Sequence, residues 1–194
     1  MDKISLSQEL KRLLPLEHYP VKNESYQTDV KTAADMLFMV DSIKPIAGKL
    51  VADMGCGNGI LGIAAALMGA SHVDMYDIDK EAIKTCSENI KLLNLADCSA
   101  IEGDLFDVSK KYDIIISNPP FGFQTYFNLD AMIQKFGQIS GCFFFIHKDN
   151  KNIKLIAEKY GAKTAELGDI TLGRTARFHR EDSHKLPIVL VYRC

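Results

Sequence analysis

The tetrapeptide Asn118-Pro119-Pro120-Phe121 directly follows the apolar run Tyr112–Ser117, YDIIIS. Such a run reads as a buried strand, and residues just beyond the carboxyl end of a strand in an open α/β sheet face the ligand crevice. The residue types suit chemistry on an amine whose lone pair is delocalised, as in the exocyclic amine of adenine. The Asn118 side-chain oxygen and the Pro119 carbonyl can accept its two N–H bonds. That draws the nitrogen toward tetrahedral geometry, frees the lone pair for in-line attack on a methyl group, and stabilises the positive charge that grows on nitrogen. Two prolines stiffen the backbone and aim its carbonyls. Phe121 offers a face on which a flipped base can stack. Neither a metal nor a covalent nucleophile is required. Taken alone, the tetrapeptide also reads as a proline-rich loop after a core strand.

A second cluster lies at Asp53-Met54-Gly55-Cys56-Gly57-Asn58-Gly59, after the apolar strand 50–54 and before a helix. Glycines here allow a tight turn and let a ligand approach the backbone. Gly57, Gly59 and Gly62 also spell the dinucleotide fingerprint. Asp53 argues against that reading, because a carboxylate at the strand end repels a pyrophosphate and suits the ammonium and sulfonium of S-adenosylmethionine. Asp77, in MYDID, ends the next strand and can accept both ribose hydroxyls. Its neighbour Ile78 goes with it, and Asp79 reads as the cap of the following helix. Asp104, in EGDLF, ends a third strand. It can accept from the cofactor's adenine amine while Leu105 and Phe106 wall the ring; the plainer reading is a surface turn acid.

The elements that must hold these residues form an alternating series. Helices are expected at Leu6–Leu14, Val30–Ser42, Gly59–Met68, Lys80–Leu93, Asp130–Ile139 and Asn150–Tyr160. Strands are expected at Leu50–Met54, His72–Tyr76, Cys98–Ile101, Tyr112–Ser117, Cys142–Ile146, Lys163–Leu167 and Ile188–Tyr192. Apolar strands separated by helices predict a mostly parallel seven-stranded sheet covered on both faces. Two late strands with little helix between them predict a C-terminal antiparallel hairpin. That ending distinguishes the Rossmann-like class I methyltransferase sheet from the dehydrogenase one.

The 194 residues suit one domain, with an N-terminal helical segment over 1–45 and the Rossmann-like core over 46–194. They are 47% hydrophobic and 25% charged, an ordinary globular composition. No apolar run reaches the roughly 18 residues of a membrane span, and the charged N-terminus lacks an apolar signal core. Five scattered cysteines without a CxxC pair predict reduced thiols in a cytoplasmic protein and no zinc site of its own. A net charge of −2 predicts no strong global pull on nucleic acid, so RNA binding would need a local basic patch, a partner or a preorganised substrate.

With these motifs in order, the sequence resembles the methyltransferase-like protein five family of ribosomal-RNA adenine-N6 methyltransferases, over about 24–193. Glu24-Ser25-Tyr26-Gln27-Thr28 is similar to the family's E-Q-Y-x-T segment, and Ala33-Ala34 and Met36-Leu37 to the helix after it. Leu16-Glu17-His18-Tyr19-Pro20 looks similar but is wrongly spaced. Lys49–Gly59 resembles the cofactor loop, Tyr76–Asp79 the acidic turn and Asn118–Gly122 the NPPFG motif. Phe145-Ile146-His147-Lys148 and Phe178-His179-Arg180 resemble two later family elements. The resemblance implies S-adenosylmethionine as cofactor and the amine-binding role of the tetrapeptide, with Tyr26 and Thr28 contacting cofactor or closing the site. Some family members pair with a small zinc-binding activator protein by strand addition. One departure is the stretch 123–130, more aromatic and less basic than is usual for the family.

Other residues carry two readings. His147 at a strand end either lines a substrate crevice or caps the strand. Arg174, Arg177, His179, Arg180, His184 and Lys185 form the densest basic stretch, suited to RNA phosphates or to a solvated loop interrupted by Glu181 and Asp182. The leading function is N6-methylation of adenine in structured RNA, ribosomal RNA first. DNA methylation uses the same tetrapeptide but normally adds a target-recognition region that has no room here. Protein-glutamine methylation meets the same lone-pair problem, yet favours tyrosine at the position of Phe121. A non-catalytic cofactor-binding subunit is the reading from another class; an intact tetrapeptide argues against it.

Overall fold

A computed structural model of the chain describes residues 1–16, 27–121, 127–171 and 185–194. Helix α1 (Lys3–Leu10) opens on Asp2, whose carboxylate accepts from the Ser5 amide at 2.9 Å. Helix α2 (Val30–Ile43) opens on Asp29 in the same way, accepting from Thr32. Then follow β1 (Leu50–Met54), α3 (Ile60–Leu67), β2 (His72–Asp77), α4 (Lys80–Leu92) and β3 (Cys98–Glu102). A short 3-10 turn (Leu105–Asp107) leads to β4 (Ile114–Ser117), α5 (Leu129–Ile139), β5 (Phe143–Lys148), α6 (Lys151–Lys159), β6 (Lys163–Thr171) and β7 (Lys185–Arg193).

The strands form one sheet in the order β3-β2-β1-β4-β5-β7-β6. The first five run parallel, and β7 is antiparallel to both β5 and β6. This is the predicted seven-stranded sheet with its antiparallel ending. Strand alternation splits the core into two layers. Val51, Ile114, Ile116, Phe144 and Ile146 pack under α1–α4. Ala52, Ile115, Phe143 and Phe145 pack against α5 and α6 on the other face. No described helix is long and apolar enough to cross a membrane.

Three expectations are corrected. Helix α1 ends at Leu10 rather than Leu14, because the Leu14 amide leaves the helix to donate to the Asn89 side chain at 2.7 Å. The final hairpin is longer than its apolar cores, with β6 and β7 each of nine residues and a register shift between Glu166 and Gly168. The five cysteines are not all reduced thiols: Cys142 and Cys194 form a disulfide, while Cys56, Cys86 and Cys98 are free. The cause is register. Phe143 faces Arg193 across the antiparallel pair, so the two cysteines just beyond them meet with their Cα atoms 4.1 Å apart.

Candidate active site

The carboxyl ends of β1, β2, β3 and β4 meet around one cavity of about 370 Å³. Gly55 and Gly57 form one wall, and Asp77 and Ile78 a second. Asp104 and Leu105 stand beyond β3, and Asn118 through Phe121 follow β4. The structure therefore brings the glycine loop, two of the acids and the tetrapeptide to one crevice, where an open α/β sheet binds its ligands.

The glycine loop is shaped from both sides. The Gly55 and Cys56 amides donate to the Tyr76 carbonyl at 2.8 and 2.9 Å, tying β1 to β2. Gly59 caps α3 with φ of 86°. A Cβ there would stand 2.6 Å from the Cys86 sulfur, so glycine is demanded twice, by conformation and by space. Gly59 lies under the loop rather than on the cavity wall. Asp53 does the same. It is fully buried, its Oδ2 accepts from the Gly62 amide at 2.8 Å, and it is absent from the lining. Burial, with Asp77 nearby, pushes its carboxyl up to about 7 against the lowering effect of the Gly62 N–H. Asp53 thus braces the start of α3 from beneath the loop, away from the cavity wall.

Asp77 sits on the wall with both oxygens engaged: Oδ2 accepts from Gly57 N–H at 2.9 Å and Oδ1 from Asp79 N–H at 3.0 Å. Burial raises its pKa, and the three amides that face it pull the other way. Each oxygen keeps lone-pair capacity for a ligand hydroxyl. Asp79 caps α4 through the Glu81 amide, as expected from sequence. Asp104 is exposed at the crevice mouth and accepts from Phe106 N–H at 2.9 Å. It is thus a turn acid that also borders the cavity.

Asn118 donates from Nδ2 to the Thr28 hydroxyl oxygen at 2.9 Å. Its Oδ1 is the amide's acceptor. Phe121 lines the cavity with only 5% of its surface exposed, and its ring lies 5.5 Å from that of His147, tilted by 53°. His147 is buried behind Phe121, with Nδ1 3.0 Å from the Lys148 carbonyl oxygen, and burial lowers its pKa. It supports the tetrapeptide and does not reach the cavity wall. Asn58 borders the cavity, but its polar atoms go to the scaffold: Nδ2 donates to the Leu14 carbonyl at 3.0 Å and Oδ1 accepts from Ile60. Tyr26, Arg174, Arg177, His179 and Arg180 lie outside the described residues.

Two features were missed in the sequence. Asn89 occupies the inward stripe of α4 with Ala82 and Cys86, and it is fully buried. It grips the Leu14 amide and carbonyl and the Asn58 carbonyl, fastening the N-terminal segment to the glycine loop. Leu16 then lines the cavity. A lone amide on an apolar helix stripe was the available signal. Tyr76 also lines the cavity. Its hydroxyl lies 2.8 Å from that of Tyr112, which donates to Asp74 at 2.7 Å; Lys110 and His72 hold the same carboxylate. Burial opposes ionisation of Asp74, but Lys110 and Tyr112 outweigh it and lower its pKa. The signal was an aspartate between two apolar residues, Val73 and Met75, in the strand His72–Asp77.

The sheet order, the antiparallel β7 inserted beside β5, and a crevice built on a glycine loop define a Rossmann-like class I methyltransferase. The chain belongs to the methyltransferase small domain family, whose model matches residues 27–138, and within it to the methyltransferase-like protein five group. It is 28% identical to the rRNA N(6)-adenosine-methyltransferase of Caenorhabditis elegans, over 94% of this chain and 93% of that one. It is 30% identical to an uncharacterized protein of Methanocaldococcus jannaschii, over 86% and 82%. Its structure resembles that of a candidate RNA methyltransferase from Pyrococcus horikoshii, with a TM-score of 0.84, 28% identity and coverage of 99% and 97%.

Proposed function

We propose that this methyltransferase modifies the N6 amine of adenine in structured RNA, with ribosomal RNA as the substrate class. The observation that carries the proposal is the placing of Asn118, its amide held on Thr28, on the same cavity as Gly55, Gly57 and Asp77. The cavity fits S-adenosylmethionine: backbone can approach at the glycines, Asp77 offers acceptors for ribose hydroxyls, and Ile78 and Leu105 offer apolar faces for adenine. When bound, that cofactor supplies a methyl group on an electron-poor sulfonium.

The chain's own residues do the rest. Asn118 Oδ1 and the Pro119 carbonyl accept the two N–H bonds of the target amine and hold it against the cofactor crevice. Both acceptors strengthen as charge builds on nitrogen, so they favour the transition state over the ground state. Phe121, backed by His147, gives the base an aromatic wall. The proton leaves the methylated nitrogen after transfer, so no strong base is needed.

Phosphate contacts are assigned to Arg174, Arg177, His179 and Arg180. Lys148 at the end of β5 pairs with Ile188, and Thr171 pairs with Lys185, so β6 ends and β7 begins on the crevice side of the sheet. A small zinc-binding activator, if used, would add a strand to an open edge, and β3 and β6 are the sheet's two edges. The proposed place of action is the cytoplasm. The deciding experiment offers ribosomal RNA, ribosomal particles and a glutamine-bearing release factor side by side. N6-methyladenine at a discrete rRNA position supports the proposal, and methylglutamine alone refutes it.

A further inference from the structure

We infer that Thr28 is a positioning residue for the reaction: its hydroxyl anchors the Asn118 amide so that Oδ1 is presented to the target amine. The inference rests on the adenine-amine function proposed above.

The anchor is built on rigid parts. Thr28 immediately precedes Asp29, the cap of α2, and Asp29 accepts from both the Thr32 amide (2.9 Å) and the Thr32 hydroxyl (2.7 Å). Helix α2 is itself locked by Ala33, Met36, Leu37 and Val40, all fully buried. Thr28 is 8% exposed, and its β-branched side chain has little rotamer freedom. On the other side, Pro119 restricts the backbone of Asn118. That leaves the side chain of Asn118, which the 2.9 Å bond to Thr28 Oγ1 restrains.

The chemistry fixes the sense of that bond. A hydroxyl can serve either end of a carboxamide, as donor to the oxygen or acceptor from the NH₂. The substrate amine offers N–H donors and needs an oxygen. With Oδ1 given to the amine, Nδ2 must find an acceptor, and the structure shows it on Thr28. Without that acceptor Nδ2 loses this hydrogen bond, and the amide is less held against orientations that meet the amine donor to donor. The loss falls on the chemical step rather than on binding, because the acceptor matters most as the amine pyramidalises.

The test uses the full-length protein and compares wild type, Thr28→Val, which keeps shape and removes the hydroxyl, and Thr28→Ser, which keeps the hydroxyl. Single-turnover methyl transfer to rRNA and calorimetric cofactor binding are read together. The expected result is a drop of about 10- to 100-fold in rate for Thr28→Val, the scale of one hydrogen bond lost from a group that acts in the transition state. At saturating cofactor, rRNA KM should stay within about threefold, and Thr28→Ser should recover most of the rate. A wild-type rate in Thr28→Val overturns the inference. So does an equal loss in both variants, which marks packing, or a loss confined to cofactor Kd, which marks Thr28 as a cofactor contact. Should Thr28→Val fail to fold, or wild type transfer nothing to adenine, the wild-type Asn118 side-chain NH₂ resonance decides. It is assigned by its disappearance in Asn118→Ala. Slow exchange with solvent supports the anchor, and exchange as fast as that of a surface asparagine overturns it. Absence of transfer by wild type would indict the substrate assignment and leave the anchor to be judged by exchange alone.

Discussion

Replacing Asp53 by asparagine exchanges one buried oxygen for an NH₂ group and removes a titration. In the folded protein burial raises this carboxyl from the ordinary 3.8 to about 7. A folded-state pKa above the unfolded one means that the native state holds the extra proton inside that window. The unfolded chain gives it up near 3.8, so native stability falls as pH rises from about 4 to about 7. At about 1.4 kcal/mol per pH unit, the whole swing amounts to roughly 4 kcal/mol. The variant keeps an oxygen for the Gly62 amide, so that bond survives. Its cost is the second atom. Oδ1 of Asp53 has no hydrogen-bond partner among the described residues, so the neutral acid leaves one O–H donor unmet there and an NH₂ leaves two, a difference of about 1–2 kcal/mol. Asp53→Asn should thus be the less stable protein at pH 4 and the more stable one above pH 8. The two curves should cross near pH 5, where about 1.4 kcal/mol per unit has offset that cost. Urea unfolding of cofactor-free wild type and variant across pH 4–8.5 measures this, and taking their difference cancels the other titrating groups. Two curves that stay parallel across the range would refute the account of Asp53 as a buried neutral brace.

Asn118→Ala should fold and bind cofactor normally while methyl transfer falls about 10²–10³-fold, as for loss of one preorganised electrostatic contact; single-turnover transfer to rRNA with parallel calorimetry checks it. Asp77→Ala should weaken cofactor binding by about 1.5–3 kcal/mol, the range for hydrogen bonds to a charged group. Unchanged affinity by calorimetry would move the ribose contact to Asp79. Replacing Arg174, Arg177 and Arg180 together should weaken RNA binding and flatten its dependence on salt. A salt slope equal to that of wild type would make the stretch a solvated loop and point to Lys148–Lys159 instead.

The sheet was legible because its strands are continuous apolar runs and its helices carry stripes, two periods that sequence displays directly. The crevice was legible for a related reason: glycines, acids and prolines at strand ends mark where backbone must turn. What sequence could not display was the direction of single side chains. Asp53 and Asp77 look alike on the page, yet Asp53 points under α3 and Asp77 onto the wall. Phe121 and His147 are 26 positions apart, and only the parallel pairing of β4 with β5 stacks one behind the other. Asn89 contacts a residue 75 positions away, so nothing local betrays its partner. The meeting of Cys142 and Cys194 likewise depends on a cross-strand register that cysteine spacing does not encode.

The placing of β7 between β5 and β6 bears on how the sheet is assembled along the chain. Strand β6 touches the sheet only through β7, although β6 precedes it in sequence. As the polypeptide is made, β1 to β5 can be laid side by side once each has emerged, since no neighbour among them lies beyond β5. Strand β6 cannot; it has to wait at the periphery until Lys185–Arg193 exists to bridge it to β5. A chain cut short before Lys185 therefore forfeits two strands of the sheet rather than one. It would also bare the edge of β5, whose residues Phe143, Phe144 and Phe145 are buried in the complete fold. An exposed edge of that composition pairs readily with other chains. Truncated products should thus tend to self-associate, whereas complete ones present only β3 and β6 at their margins.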